Sequence, residues 1–137
     1  MIRIARHRLR ADRRGETALE FALVGGVFFL LLLAPIELGL MIWTGSALQQ
    51  VAAQTARCVA IGSSQCTSPQ TYAVGLASKW VGSNAINSNS VTAAHTPTCN
   101  NATGNFEKVT ITSSIWAGAF ISPLAGTTQV ATACFPL

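Results

Sequence analysis

Charge is scarce in this chain of 137 residues, and acid is scarcest. Five carboxylates stand against nine lysines and arginines, for a formal net charge of +4. Six of the nine cations, Arg3, Arg6, Arg8, Arg10, Arg13 and Arg14, crowd the first 14 residues. From residue 16 onward only Arg57, Lys79 and Lys108 face Glu16, Glu20, Glu37 and Glu107. A body so close to neutral exerts no general pull on phosphate backbones, which argues against nucleic acid as a partner. Histidine is limited to His7 and His95, and no nucleophile, base and orienting acid can be assembled around either. There is no phosphate-cradling glycine loop, and the four cysteines lack both a C-x-x-C pair and neighbouring histidines, which disfavours zinc. We therefore assign no catalytic, cofactor-binding or metal-ligating residue and expect no enzyme. Internal repeats are also missing.

What is present is one long apolar run. "FALVGGVFFLLLLAPIELGLMIW", Phe21 to Trp43, holds 23 residues with a single charge, Glu37. As a helix it measures about 34 Å, enough to cross a hydrocarbon core of about 30 Å. The arginine cluster before it holds the N-terminus in the cytoplasm and sends everything after Trp43 to the other side. Trp43 then falls where an interfacial aromatic belongs. The run is too long for the h-region of a secretory signal peptide, and no small-x-small cleavage site ends it. Arg13-Arg14 is followed by Gly15-Glu16-Thr17 rather than by apolar residues, against a twin-arginine export signal. Glu37 lies about 26 Å along the helix from Glu20 and is expected to be solvated at the outer headgroups. Pro35 removes one helical hydrogen bond just before it.

The run opens on a carboxylate, Glu20, which an anchor alone does not need. Such a group at the cytoplasmic edge is inexpensive if it only stabilises the helix N-terminus. The surrounding order is more specific: the basic pair Arg13-Arg14, then Gly15, four residues, Glu20, Phe21 and the apolar run. This resembles the prepilin signal of type IV pilins, and most closely the TadE-like minor pilins (pseudopilins) of tight-adherence, or Flp, pili, over residues 13 to 60. The resemblance implies cleavage between Gly15 and Glu16 by a prepilin peptidase, which makes residues 1 to 15 a leader and Glu20 the fifth mature residue. The exposed amine of Glu16 could then be neutralised by Glu20 of its own or a neighbouring subunit within a packed helix bundle. An unpaired charge there would be strongly disfavoured, so the pair could report axial register. Glu16 departs from the pattern, which more often has a small or uncharged residue at that place.

By the same resemblance the partners are the prepilin peptidase, other pilins with the pilus assembly machinery, and inner-membrane lipid. The chain is expected in the bacterial inner membrane as a precursor and afterwards on the pilus or cell surface. Pilus biogenesis, priming or capping, surface adhesion and biofilm formation are the implied roles. An uncleaved single-span envelope protein with an external binding domain is the alternative.

Residues 44 to 137 form the external part. "TGSALQQVAAQTARCVAIG" places Leu48, Val51, Ala52, Thr55, Cys58 and Val59 at spacings of three and four, which predicts that the helix continues to about residue 61 with one apolar face. A short helix over about 70–81 follows, with Tyr72, Leu76, Trp80 and Val81 as its buried positions. Strands are expected over Ser90 to Thr98, Glu107 to Trp116 and Gln129 to Phe135, with "NNATGN" and "AGAFISPLAG" as loops. Val109, Ile111 and Ser113 share one face of the second strand, whereas Glu107 beside Lys108 reads as solvated surface. The fold class is α+β: a long N-terminal transmembrane and amphipathic helix, then a small antiparallel β-sheet head over about 90–136. Cys58, Cys66, Cys99 and Cys134 all lie on the exported side, and their even number argues for two disulfides. Three pairings exist. Cys58 with Cys66 and Cys99 with Cys134 is favoured, since the first closes a short helix-to-loop segment and the second ties the last strands together. A three-stranded meander, however, would put its middle strand between Cys99 and Cys134.

Overall fold

The computed structural model describes residues 14–83, 85–114 and 128–137. The leader up to Arg13, the residues Ile115 and Trp116 expected to end the second strand, and the expected loop 117–126 lie outside the described residues. Helix α1 is Arg14–Ala60 and helix α2 is Pro69–Trp80. The strands are β1 (Val91–Cys99), β2 (Ala102–Ser114) and β3 (Thr128–Pro136). By internal contacts the chain divides into two units, Met1–Ile36 and Glu37–Leu137, with α1 contributing to both.

In the first unit the helix carries apolar side chains on every side and covers none of them. Leu19, Phe21, Leu23, Val24, Val27 and Phe28 through Leu32 are all exposed. A helix apolar all round is stable only when lipid or other helices surround it. Thr17 to Ile36 is 20 residues, about 30 Å of helix, the thickness of a hydrocarbon core. This length and composition fit membrane anchoring.

The second unit has a packed core. The helix face foreseen from spacing is buried at Leu48, Val51, Ala52, Thr55 and Cys58, joined by Ala47 and Ala56. Thr55 removes its polar cost by donating to the Val51 carbonyl at 2.7 Å. The helix ends in a Schellman motif: Gly62 adopts φ +63°, its N–H bonds the Val59 carbonyl, and the Ser63 N–H bonds that of Cys58. Pro69 then starts α2, at a position whose N–H needs no partner.

In α2 the buried residues are Ala73 and Ala77, and Tyr72, Leu76 and Val81 are only half-buried. Trp80, expected inside, is 53% exposed. The correction has a steric cause. Ala52, Ala56, Ala73 and Ala77 belong to one core cluster and are all essentially solvent-free, so small side chains fill that space and an indole does not fit.

Among the described residues the sheet is an antiparallel meander, β1-β2-β3. Its core face is built in cross-strand rows: Val91, Ile111 and Ala131; Ala93, Val109 and Ala133; His95, Glu107 and Phe135. The "NNATGN" loop is shorter than expected. β2 begins at Ala102, and the hairpin closes through Asn100 and Asn101, at φ +46° and +67°, which asparagine tolerates better than most residues. Among the described residues β1 pairs only with β2, and Pro97 with the register shift between Thr96 and Thr98 interrupts that pairing.

Both favoured disulfides are present, Cys58–Cys66 with Cα atoms 6.0 Å apart and Cys99–Cys134 at 6.5 Å. The second resolves the meander problem. Cys134 pairs with Lys108 on the face opposite the core, and the end of the β1–β2 hairpin reaches over that face to meet it.

Candidate functional site

Three places in the described residues carry chemistry beyond packing. The first is the start of α1. Gly15 is exposed and a Cβ built on it meets nothing within 4 Å, while Glu20 and Phe21 are exposed, the latter at 80%. The Gly15–Glu16 peptide lies at the N-terminal end of α1 as described. Arg13 lies outside the described residues. Gly25 and Gly26 are likewise unobstructed, so in this chain no neighbour occupies the space their missing side chains leave.

The second place is where α1 meets the sheet's last strand. Gln129 on β3 donates from Nε2 to the Met41 carbonyl at 3.2 Å, and Gln49 on α1 donates to the Thr132 carbonyl at 2.7 Å. Gly45 permits the first contact, since a Cβ there would sit 2.9 Å from Gln129 Oε1. Glu37 requires a correction. Expected among headgroups, it is only 4% exposed, and neither carboxylate oxygen has a hydrogen-bond partner among the described residues. Its position explains the burial: Glu37, Met41, Thr44 and Leu48 recur at three and four residues, so the carboxylate sits on the face of α1 that covers the sheet.

The third place is the row His95, Glu107 and Phe135. Glu107, read from sequence as solvated, has a side chain only 3% exposed, and its Oε2 lies 2.7 Å from His95 Nδ1. Alternation extended one step before Val109 would have placed it on the core face. The contact lies off the direction of a good hydrogen bond and is an ion pair when the imidazole is protonated. The ring itself is 75% exposed. No third group completes a catalytic arrangement there among the described residues, and no cluster of potential metal ligands occurs among them.

On the outer side of the head, Trp43, Ser46, Ala47, Gln50 and Gln54 of α1 and Trp80 of α2 line a shallow groove of about 320 Å³. It contains no charged side chain.

Residues 15–57 match the family described as TadE-like protein. The match opens on Gly15 and closes on Arg57, so it lies wholly within α1, and over these residues the chain is similar to that family. No curated protein and no solved structure matches the chain.

Proposed function

We propose that this chain is a minor pilin, or pseudopilin, of a tight-adherence type IV pilus, made as a membrane-anchored precursor and cut between Gly15 and Glu16 by a prepilin peptidase. The observation that carries the reading is the coincidence of the TadE-like match with α1: it begins at the glycine of the expected cut and runs along a helix whose apolar side chains are uncovered. Lipid covers that surface before assembly, and neighbouring helices cover it in the filament. Cleavage frees an amine at Glu16, and the Glu20 carboxylate, four residues on, offers the countercharge within the bundle. The disulfide-bonded head is the part presented outside, where it primes or caps the filament and contributes to surface adhesion. Its role is structural, and no step of catalysis is assigned to it.

The decisive experiment is intact mass spectrometry of the protein produced with and without its cognate peptidase. A chain beginning at Glu16 only when the peptidase is present supports the reading. An intact Met1 leader in both samples would sink it and leave a permanently anchored envelope protein.

A further inference from the structure

The head unit exposes more apolar surface than its own packing explains. Leu38, Leu40, Ile42 and Trp43 are all more than half exposed, and so is Trp80, which comes from a different helix and yet lines the same groove as Trp43. We infer that the head rests on the outer leaflet of the membrane through Trp43 and Trp80, so that the unassembled subunit makes a second contact with lipid beside its span. The inference rests on the reading of α1 as membrane-spanning.

Three observations select lipid as the occupant of this surface. Trp43 is the last residue of the membrane-length apolar run, so by sequence it falls at the headgroup boundary. Indole rings prefer the headgroup boundary, where the apolar body is buried and the N–H reaches water or a carbonyl. Of the remaining lining, Ser46, Gln50 and Gln54 are polar and uncharged, as suits a hydrated headgroup layer, and Ala47 is small. Beside Trp80, the exposed Lys79 adds a cation suited to anionic headgroups.

The test uses the full chain reconstituted in vesicles of phosphatidylethanolamine and phosphatidylglycerol, with brominated acyl chains as the quencher of tryptophan emission. One variant, Trp43→Phe with Trp116→Phe, keeps only Trp80. A second, Trp80→Phe with Trp116→Phe, keeps only Trp43. Loss of emission from both single-tryptophan proteins, with both shielded from aqueous iodide, is the expected result. Quenching of Trp43 but not Trp80 overturns the inference and leaves the spanning helix intact. Quenching of neither removes the membrane reading itself, and the inference with it. Shielding of Trp80 from iodide that grows with protein density, without quenching by lipid, assigns the groove to a second copy of the chain and also overturns it. Both indoles are more than half exposed, so their replacement by Phe spares the core, which far-ultraviolet circular dichroism will verify.

Discussion

His95 and Glu107 face each other across β1 and β2, Nδ1 2.7 Å from Oε2, with the imidazole mostly in water and the carboxylate almost wholly out of it. The pair is unequal. Water solvates the ring without help, whereas Glu107 Oε2 is buried with no hydrogen-bond partner among the described residues, on a face it shares with Val109 and Phe135.

That inequality sets the result of removing each partner. His95→Ala leaves the carboxylate stranded and should cost about 1 kcal/mol, the low end for a charged contact because the ring is exposed. In that background Glu107→Leu should recover most of the loss, because its row neighbour Phe135 and its face neighbour Val109 are apolar. Urea midpoints of the three proteins in detergent decide it. A double variant less stable than His95→Ala would show that the carboxylate is compensated by something other than the histidine.

The burial of small alanines in the core predicts that adding hydrophobic bulk will harm the protein. Ala77 is 1% exposed, so Ala77→Leu should destabilise the head by about 1–3 kcal/mol through overpacking. Trp80→Ala, three residues on, should stay within about 0.5 kcal/mol, since the indole lies outside the core. The reverse order in thermal melts would return Trp80 to the interior.

The two disulfides should differ in worth. Cys58 and Cys66 are 8 residues apart and Cys99 and Cys134 are 35 apart, so the chain-entropy relation assigns about 2.5 and about 4 kcal/mol respectively. Replacing Cys99 and Cys134 together by Ser should thus lower the unfolding midpoint further than replacing Cys58 and Cys66. Equal losses would mean that the bridges act mainly through native-state contacts.

Cleavage and assembly should separate at Glu20. Glu20→Gln keeps Gly15 and the span, so the leader should still be removed. The loss of the countercharge for the new amine should lower incorporation into sheared pili by about tenfold, the equivalent of about 1.4 kcal/mol. Immunoblots of membrane and pilus fractions report both steps. Unchanged incorporation would reduce Glu20 to a helix-end carboxylate.

Where a side chain's place follows from its own neighbours in the chain, the fold was legible in advance. Leu48, Val51, Ala52, Thr55 and Cys58 declare a buried helix face by spacing, and Val109, Ile111 and Ser113 declare a strand face by alternation. The match to the TadE-like family stays within this locally encoded helix. Glu107 belongs to the same pattern, although its charge and the adjacent Lys108 suggest a place at the surface.

Other features depended on residues far apart in sequence. Trp80 is outside and Ala77 inside because the core that α1, α2 and the sheet enclose takes α2's small side chains, and that choice is not written in either helix alone. Glu37 is buried because the face it shares with Leu48 is covered by the head, although a carboxylate in an apolar run promises solvation. Cys99 reaches Cys134 because the hairpin end crosses the outer face of the sheet. Sequence by itself determined the periodic elements, the membrane-length helix and the even set of cysteines, because helix and strand periods are imposed by backbone geometry within a few residues. The tertiary structure alone decided which bulky side chain is excluded and which charge is enclosed, because those depend on the volume left between elements once they meet.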